Sequence, residues 1–545
     1  MFSDPVAGER FFGRVEALDL LTKRTNALKE GYRQNIAIVG PQLIGKSSLV
    51  LHFFFNRCPA NILPIYIELS NRAFEHFTRK FTGSLLYQYL KSKNLDVALE
   101  IELLKKHAQP FIPKTVKVIQ AIEIDIENRQ VDHSFEKLLS LTEILKNETG
   151  LICAVILDEF QLLDTFKLKK PFSVFAREIM TQKDTMYVLI SSQVNYAQKI
   201  LAEEISLLFG NFEVIKLGAF DYDTSCKFIE KRLGNLCLPE TLRDFLISFS
   251  EGHPFYLDIL SNKLAEKSEQ QKRIEICSLL IGQTLDSVIY DSQGILNQYF
   301  LSLLASSLNG YEHSDFISIL LSMTKKESCL EDIAEAAQRS PQIIAKQINL
   351  LVEKDLINKV GVFFKLQDKI FKFWLKEVYQ RKNLSIAVEP IAEKERFFNE
   401  IENKIHAFSR EAKKPLQERV IALLQSCANE TIKLQHKSYK FWKFEEVSPW
   451  PMKHLEHCII ARYKDGCWAF LVKKGALTET RIQQFCLACK KVQYKVRKKI
   501  IVAASQLDLN VKLMALEKNI WIWSLDDINL LFDIYGKEQI LGHPQ

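Results

Sequence analysis

The stretch Gly40-Pro41-Gln42-Leu43-Ile44-Gly45-Lys46-Ser47 sets two glycines around a four-residue span and follows the second with a lysine and a hydroxyl. That spacing suits one task. Glycine lets a short loop curl until successive backbone N–H groups face a single oxyanion, and a helix starting at the loop's end adds its positive dipole end. Lys46 would reach the outer phosphates of a bound polyphosphate. The Ser47 hydroxyl would coordinate Mg²⁺, and Ser48 continues the helix start. A second chemical pair follows about a hundred residues later: Leu151 to Leu157 is an unbroken apolar run ending in Asp158-Glu159. Asp158 would hold the metal's ligand shell, and Glu159 could polarise an attacking water.

These residues work together only if specific elements present them. "IAIV" (Ile36 to Val39) reads as a buried strand feeding the loop, and "KSSLVLHFFF" as the helix leaving it. The run before Asp158 reads as a strand buried on both faces, whose C-terminal end is where an α/β sheet presents ligand groups. "ILPIYIEL" and "MYVLISSQ" add two strands to the same sheet. The second ends in Ser191-Ser192, which either sense the outermost phosphate and position water or simply close the strand.

The chain has 545 residues, 47% apolar and 26% charged, which predicts several soluble globular domains. No apolar run reaches membrane-spanning length, and the opening residues lack the apolar region of a signal peptide. Eleven scattered cysteines fit reduced thiols. The expectation is a cytoplasmic protein with no membrane partner. The net charge of +7 is uneven: from Phe398 onward there are 24 basic and 16 acidic residues, +8, leaving −1 for the rest. An acidic partner is therefore sought at the C-terminal end.

With these motifs in place, the N-terminal half resembles the archaeal-type P-loop ATPase family of the AAA+/STAND class, over about Asp4 to Lys267. "FFGRVEALDLL" is similar to the family's opening segment beside the nucleotide base, "GPQLIGKSSL" to its Walker A loop and "VILDEFQ" to its Walker B strand. "SEGHPFYLDIL" resembles the Gly-x-Pro segment of a helical lid. The resemblance implies ATP and Mg²⁺ as cofactors, nucleotide contacts at the loop residues, Gly13, Arg14 and Pro254, and a catalytic Glu159. No arginine is assignable as a finger acting on a neighbouring subunit; Arg177 and Arg232 are merely available. That favours a slow switch over a ring-forming motor.

Farther along, "CLEDIAEAAQRS" and "PQIIAKQINLLVEKDL" predict two helices, the second with Ile343, Ile344, Ile348, Leu351 and Val352 on one face, and "INKVGVFFKLQD" two strands about Gly361. This order resembles a winged helix, a module that reads DNA or makes protein contacts. After a linker, a helix, two strands, a second helix and a further strand resemble a restriction-endonuclease-like fold. The nuclease form needs an acid on the first strand and Glu-x-Lys on the second; here stand Cys458, with Glu456 nearby, and Leu471-Val472-Lys473. One lysine cannot hold Mg²⁺, so cleavage is not expected. "KKVQYKVRKK" carries Lys490, Lys491, Arg497, Lys498 and Lys499 around Tyr494, either a nucleic-acid surface or a solvated helix end and strand start. Cys458, Cys467, Cys486 and Cys489 read as structural thiols rather than a zinc site.

The expected fold class is α/β: a P-loop NTPase parallel sheet (1–215) with a helical lid (216–290), a winged helix (291–382), a linker (383–397) and a small restriction-endonuclease-like domain (398–545). The expected function is an ATP-hydrolysing switch that acts on a DNA or protein complex, self-association included. The rival readings are an ATP-stabilised scaffold that does not turn over and a DNA-bound regulator.

Overall fold

The structure, a computed structural model, describes residues 4–95, 99–205, 212–308, 313–324, 328–384, 390–434, 437–451, 457–505 and 507–542. The chain divides into two compact units, Met1–Ala219 with Glu353–Asp355, and Phe220–Val352 with Leu356–Gln545.

The first unit is built on five parallel strands, β1 (Asn35–Val39), β2 (Ile62–Glu68), β3 (Ile152–Asp158), β4 (Thr185–Ser191) and β5 (Phe212–Lys216), in the order β2-β3-β4-β1-β5. Their apolar runs are continuous because both faces are covered. Along β3, Ile152, Ala154 and Ile156 join one core cluster while Cys153, Val155 and Leu157 join the other. The first cluster also holds helix α1 (Val15–Lys29) and helix α2 (Lys46–Asn56), through Leu18, Leu21, Leu49, Val50 and Phe53. The second is roofed by helices Phe74–Ser92, Ile101–Ala108, Pro113–Glu127, Val131–Thr149 and Pro171–Thr181. Truncating one of these buried branched side chains to alanine would cost about 2–5 kcal/mol. The glycine loop joins β1 to α2 on a parallel sheet between two helical layers. This is the P-loop NTPase fold.

In the second unit, helices Tyr222–Leu233, Glu240–Ser250, Pro254–Gln270 and Ser278–Leu285 come first. Helices Leu330–Ala337 and Pro341–Glu353 then lead into β7 (Ile357–Val360) and β8 (Phe363–Leu366), and a two-residue strand β6 (Ser328–Cys329) completes an antiparallel sheet of order β6-β8-β7. Ile344, Ile348 and Leu351 of the second helix are buried, but Ile343 is 48% exposed and falls outside the apolar face expected from the sequence. The expected linker is partly helical: Pro390–Ala412 forms one helix, whose Phe397, Ile401, Ile405 and Phe408 are buried. Of the remaining linker residues, 383 and 384 end helix Gln380–Leu384, and 385–389 lie outside the described residues.

The C-terminal part begins with helix Leu416–Ser426 and a hairpin of β9 (Thr431–Leu434) and β10 (Lys437–Lys440). A five-stranded sheet follows: β11 (Glu446–Pro449), β12 (Cys458–Tyr463), β13 (Gly466–Lys473), β14 (Val496–Ala503) and β15 (Ile520–Trp523), in chain order. β12 runs antiparallel to both its neighbours, and β13, β14 and β15 are mutually parallel. The β7–β8 turn is packed on β9. Gly361, at φ 66°, comes so close that an added Cβ would sit 2.6 Å from the Thr431 carbonyl, and Val362 N donates to that carbonyl at 3.4 Å. Among the described residues no helix is long and apolar enough to cross a membrane.

Candidate functional site

The loop takes its shape where the sequence places its glycines. A Cβ at Gly40 would lie 2.3 Å from the Leu217 carbonyl, so only glycine fits between β1 and the segment leaving β5. Gly45 has φ +99°, a conformation that strains other residues, and hands the chain directly to α2 at Lys46. Leu43 is also left-handed, at φ 58°. Lys46 is 5% exposed and its Nζ donates to the carbonyls of Gly40, at 3.0 Å, and Pro41, at 2.8 Å. The amine thus folds back over its own loop. Burial lowers its pKa, against the pull of Glu159 and Asp158.

Although β4 separates β1 from β3, the strand ends bring Ser47 to Asp158: Ser47 Oγ donates to Asp158 Oδ2 at 2.5 Å. Asp158 is 3% exposed, and its pKa is raised by burial first and by neighbouring Glu159 second, while hydrogen bonds from Ser47 and Tyr66 oppose the rise. The Tyr66 hydroxyl donates to the same Oδ2 at 2.7 Å. Tyr66 was not marked as a site residue by sequence, because it lies inside β2 and reaches Asp158 only across the sheet.

Glu159 adopts the left-handed region, φ 57°, which turns the chain out of β3 and aims the side chain toward β4. Its Oε2 accepts from Ser192 N at 3.1 Å, Ser192 Oγ at 2.8 Å and Gln161 Nε2 at 2.6 Å. The serine pair therefore splits. Ser192 grips Glu159, whereas the Ser191 hydroxyl is used in its own turn, accepting from Gln193 N at 3.1 Å.

The N-terminal segment is tied to the same loop. Arg14 donates to Ile44 O at 2.8 Å and Gly218 O at 2.7 Å, and Val6 N donates to Ser48 Oγ at 2.9 Å. Beside these ties a cavity of about 300 Å³ is lined by Phe11, Gly13, Leu18, His52 and Arg57 among others. These loop, helix and strand-end groups can hold a magnesium-bound polyphosphate: a glycine-shaped loop, a buried amine, and a hydroxyl and a carboxylate touching each other.

Pro254 is in the second unit, at the first turn of helix Pro254–Gln270, just after Gly252 and His253. Arg177 pairs with Glu136 at 2.5 Å, and Arg232 with Asp258 at 2.7 Å. The tail cations are divided by strand alternation. Lys490 and Lys491 are exposed beyond helix Glu479–Cys489, and on β14 Arg497 donates to Asp465 O at 3.2 Å and Lys499 to Lys518 O at 2.5 Å. Lys498 instead lies over the rings of Trp521, 3.5 Å from its centroid, and Trp468, 4.7 Å. Burial pulls its pKa down to about 8. Where a nuclease would place its acids, Cys458 and Leu471 are paired across β12 and β13 and packed in an apolar cluster. Glu456 lies outside the described residues. Cys486 and Cys489 are free thiols, and no group of three metal-ligating side chains occurs among the described residues.

No protein-family model matches the chain, and no curated protein matches it. Solved structures are similar at low identity. A Walker-type ATPase of Pyrococcus abyssi is 17% identical, with a TM-score of 0.47 over 69% of this chain and 99% of that one. An ORC2 protein of Aeropyrum pernix, in ADPNP–ADP complexes, is 12% identical, with a TM-score of 0.43 over 74% and 97%. The Holliday junction branch migration motor RuvB of Thermotoga maritima is 11% identical, with a TM-score of 0.33 over 69% and 100%. What identifies the fold here is the strand order and the loop between β1 and α2.

Proposed function

We propose that this chain binds ATP with Mg²⁺ at the Gly40–Ser48 loop and hydrolyses it slowly, as a switch. The observation that carries the reading is the 2.5 Å hydrogen bond between Ser47 and Asp158, which joins the two oxygen ligands a nucleotide-bound magnesium requires. Magnesium, when bound, would supply charge neutralisation at the phosphates. The loop amides and Lys46 would bind phosphate oxygens, with Nζ exchanging its two carbonyl partners for them. Glu159 would take a proton from the attacking water.

Slow turnover follows from how Glu159 is held. Its Oε2 already accepts three hydrogen bonds, two from Ser192 and one from Gln161, so a water must displace or share them before the carboxylate can act. The same observation favours a second reading, a nucleotide-stabilised scaffold in which Glu159 stays locked.

The switch's output is assigned to the second unit. Helices Leu330–Ala337 and Pro341–Glu353 with the β6-β8-β7 sheet support a winged helix, here read as a protein-contact module because its β7–β8 turn is covered by β9 and Lys365 pairs with Asp533. The helix, antiparallel strand pair, helix and parallel strand from Leu416 to Ala503 support a restriction-endonuclease-like domain without cleavage, and its Lys490 and Lys491 remain accessible to an acidic partner. Phosphate release from ATP, measured for the parent and for Lys46→Ala, tests the switch. Loss of turnover in the variant is expected, and equal turnover in both would remove the enzyme reading.

A further inference from the structure

We infer that Tyr66 is a positioning residue for the metal-binding carboxylate: its hydroxyl fixes Asp158 so that magnesium meets an ordered ligand. The inference rests on the nucleotide reading above and names a residue that neither the loop nor the acid pair reveals.

Three observations converge. β2 and β3 are parallel neighbours, with Tyr66 opposite Ile156 and Glu68 opposite Asp158, so Tyr66 stands on the side of the sheet to which Asp158 points, two residues short of it. Its hydroxyl spans that gap and donates to Oδ2 at 2.7 Å. The backbone of Asp158 is pinned from the same direction, since Leu69 N donates to Asp158 O at 2.9 Å as the chain leaves β2. One strand therefore controls both the main chain and the side chain of this aspartate.

The physical need is clear from the surroundings. Asp158 is buried beside a second carboxylate, that of Glu159, whose like charge repels it. Two hydroxyls counter this, those of Ser47 and Tyr66, both on Oδ2. Ser47 is itself a candidate metal ligand, so its hydroxyl serves two partners. Tyr66, not itself a candidate metal ligand, donates its O–H to the carboxylate, with the Ser47 hydroxyl beside it. Removing a hydrogen-bond partner of a metal ligand typically weakens metal affinity 10–100-fold.

The opposite role is conceivable chemically: a phenol that occupies the carboxylate and competes with the metal. The two roles differ in sign, which makes the test decisive. A fluorescent ATP analogue is titrated with Mg²⁺ on the parent chain and on Tyr66→Phe, which deletes the donor and keeps the ring, and the half-saturating Mg²⁺ concentration is read, together with analogue affinity in EDTA. Positioning predicts a midpoint raised roughly tenfold or more with EDTA affinity unchanged. An unchanged midpoint, or a lowered one, overturns it. If the parent shows no magnesium-dependent binding, the nucleotide reading fails and this inference fails with it; if the parent responds and the variant matches it, only Tyr66 loses its role. Should Tyr66→Phe melt early, the rise in melting temperature that Mg²⁺ adds in the presence of ATP, compared within each protein, gives the same decision. A rise as large in the variant as in the parent, at equal Mg²⁺, overturns the inference.

Discussion

The parallel sheet of the first unit and the mixed sheet β11-β12-β13-β14-β15 are both buried on two faces, yet their strand ends carry opposite chemistry. In the first, β3 and β4 finish in Asp158-Glu159 and Ser191-Ser192, which meet Ser47 and one another. In the second, Cys458 and Leu471 face each other across β12 and β13 inside an apolar cluster. The two sheets also treat a hidden lysine differently. Lys46 rests on two carbonyls that a phosphate can replace, whereas Lys498 rests on indole faces, where no incoming anion finds a polar partner. A strand layout supplies a place for chemistry, and only convergent polar groups make it a site.

Placing an acid in the second sheet breaks the comparison most severely. Leu471→Asp buries a lone carboxylate among apolar neighbours, and urea melts should show a loss of roughly 3–5 kcal/mol or outright unfolding, with no cleavage of DNA in Mg²⁺. Unaltered stability together with magnesium-dependent cleavage would show that the second sheet holds a latent site. In the first sheet, Glu159→Gln should retain nucleotide binding while lowering phosphate release about 10²–10⁴-fold. Release at the parental rate would assign the base elsewhere and leave Glu159 a structural hinge.

A smaller effect sharpens the contrast between charge held for chemistry and charge merely enclosed. Asp368, in the second unit, accepts from the buried Tyr256 hydroxyl and caps the Phe371 amide at 2.8 Å, and burial raises its pKa to about 6. A carboxyl raised above its unfolded value contributes stability fully below pH ~4, the unfolded pKa, and loses that contribution as pH rises through about 6. Asp368→Asn should therefore melt later than the parent at pH 8 and close to it at pH 4. Because Asp368 is only part-buried by surface, the gain at pH 8 is put at ~1–2 kcal/mol. A gain that is the same at both pH values would remove the titration from the account.

Sequence disclosed the loop because its chemistry is local: Gly40, Gly45, Lys46 and Ser47 are fixed by spacing, and the structure only supplies the angles. Asp158-Glu159 was legible because seven apolar residues in a row cannot be a surface strand. Tyr66 was not, since its role exists only across the β2–β3 register, and no periodicity marks a hydroxyl two residues short of a neighbouring strand's acid. The tail cations were misleading as a run. A strand points alternate residues to opposite faces, so Arg497 and Lys499 lie away from Lys498, and the aromatic residues that surround Lys498 come from 23 to 59 positions away in sequence. The covered β7–β8 turn was equally hidden, because Gly361 reads as an ordinary hairpin glycine until Thr431 is seen against it.

The central claim is that a nucleoside triphosphate and its magnesium are held between the Gly40–Ser48 loop and Asp158. Calorimetric titration of the purified chain with a non-hydrolysable ATP analogue, in Mg²⁺ and again in EDTA, tests it most directly. Saturable one-to-one binding that strengthens at least tenfold with Mg²⁺ is the predicted result, a gain of about 1.4 kcal/mol or more. No binding at millimolar analogue, or identical affinity with and without the metal, would contradict it.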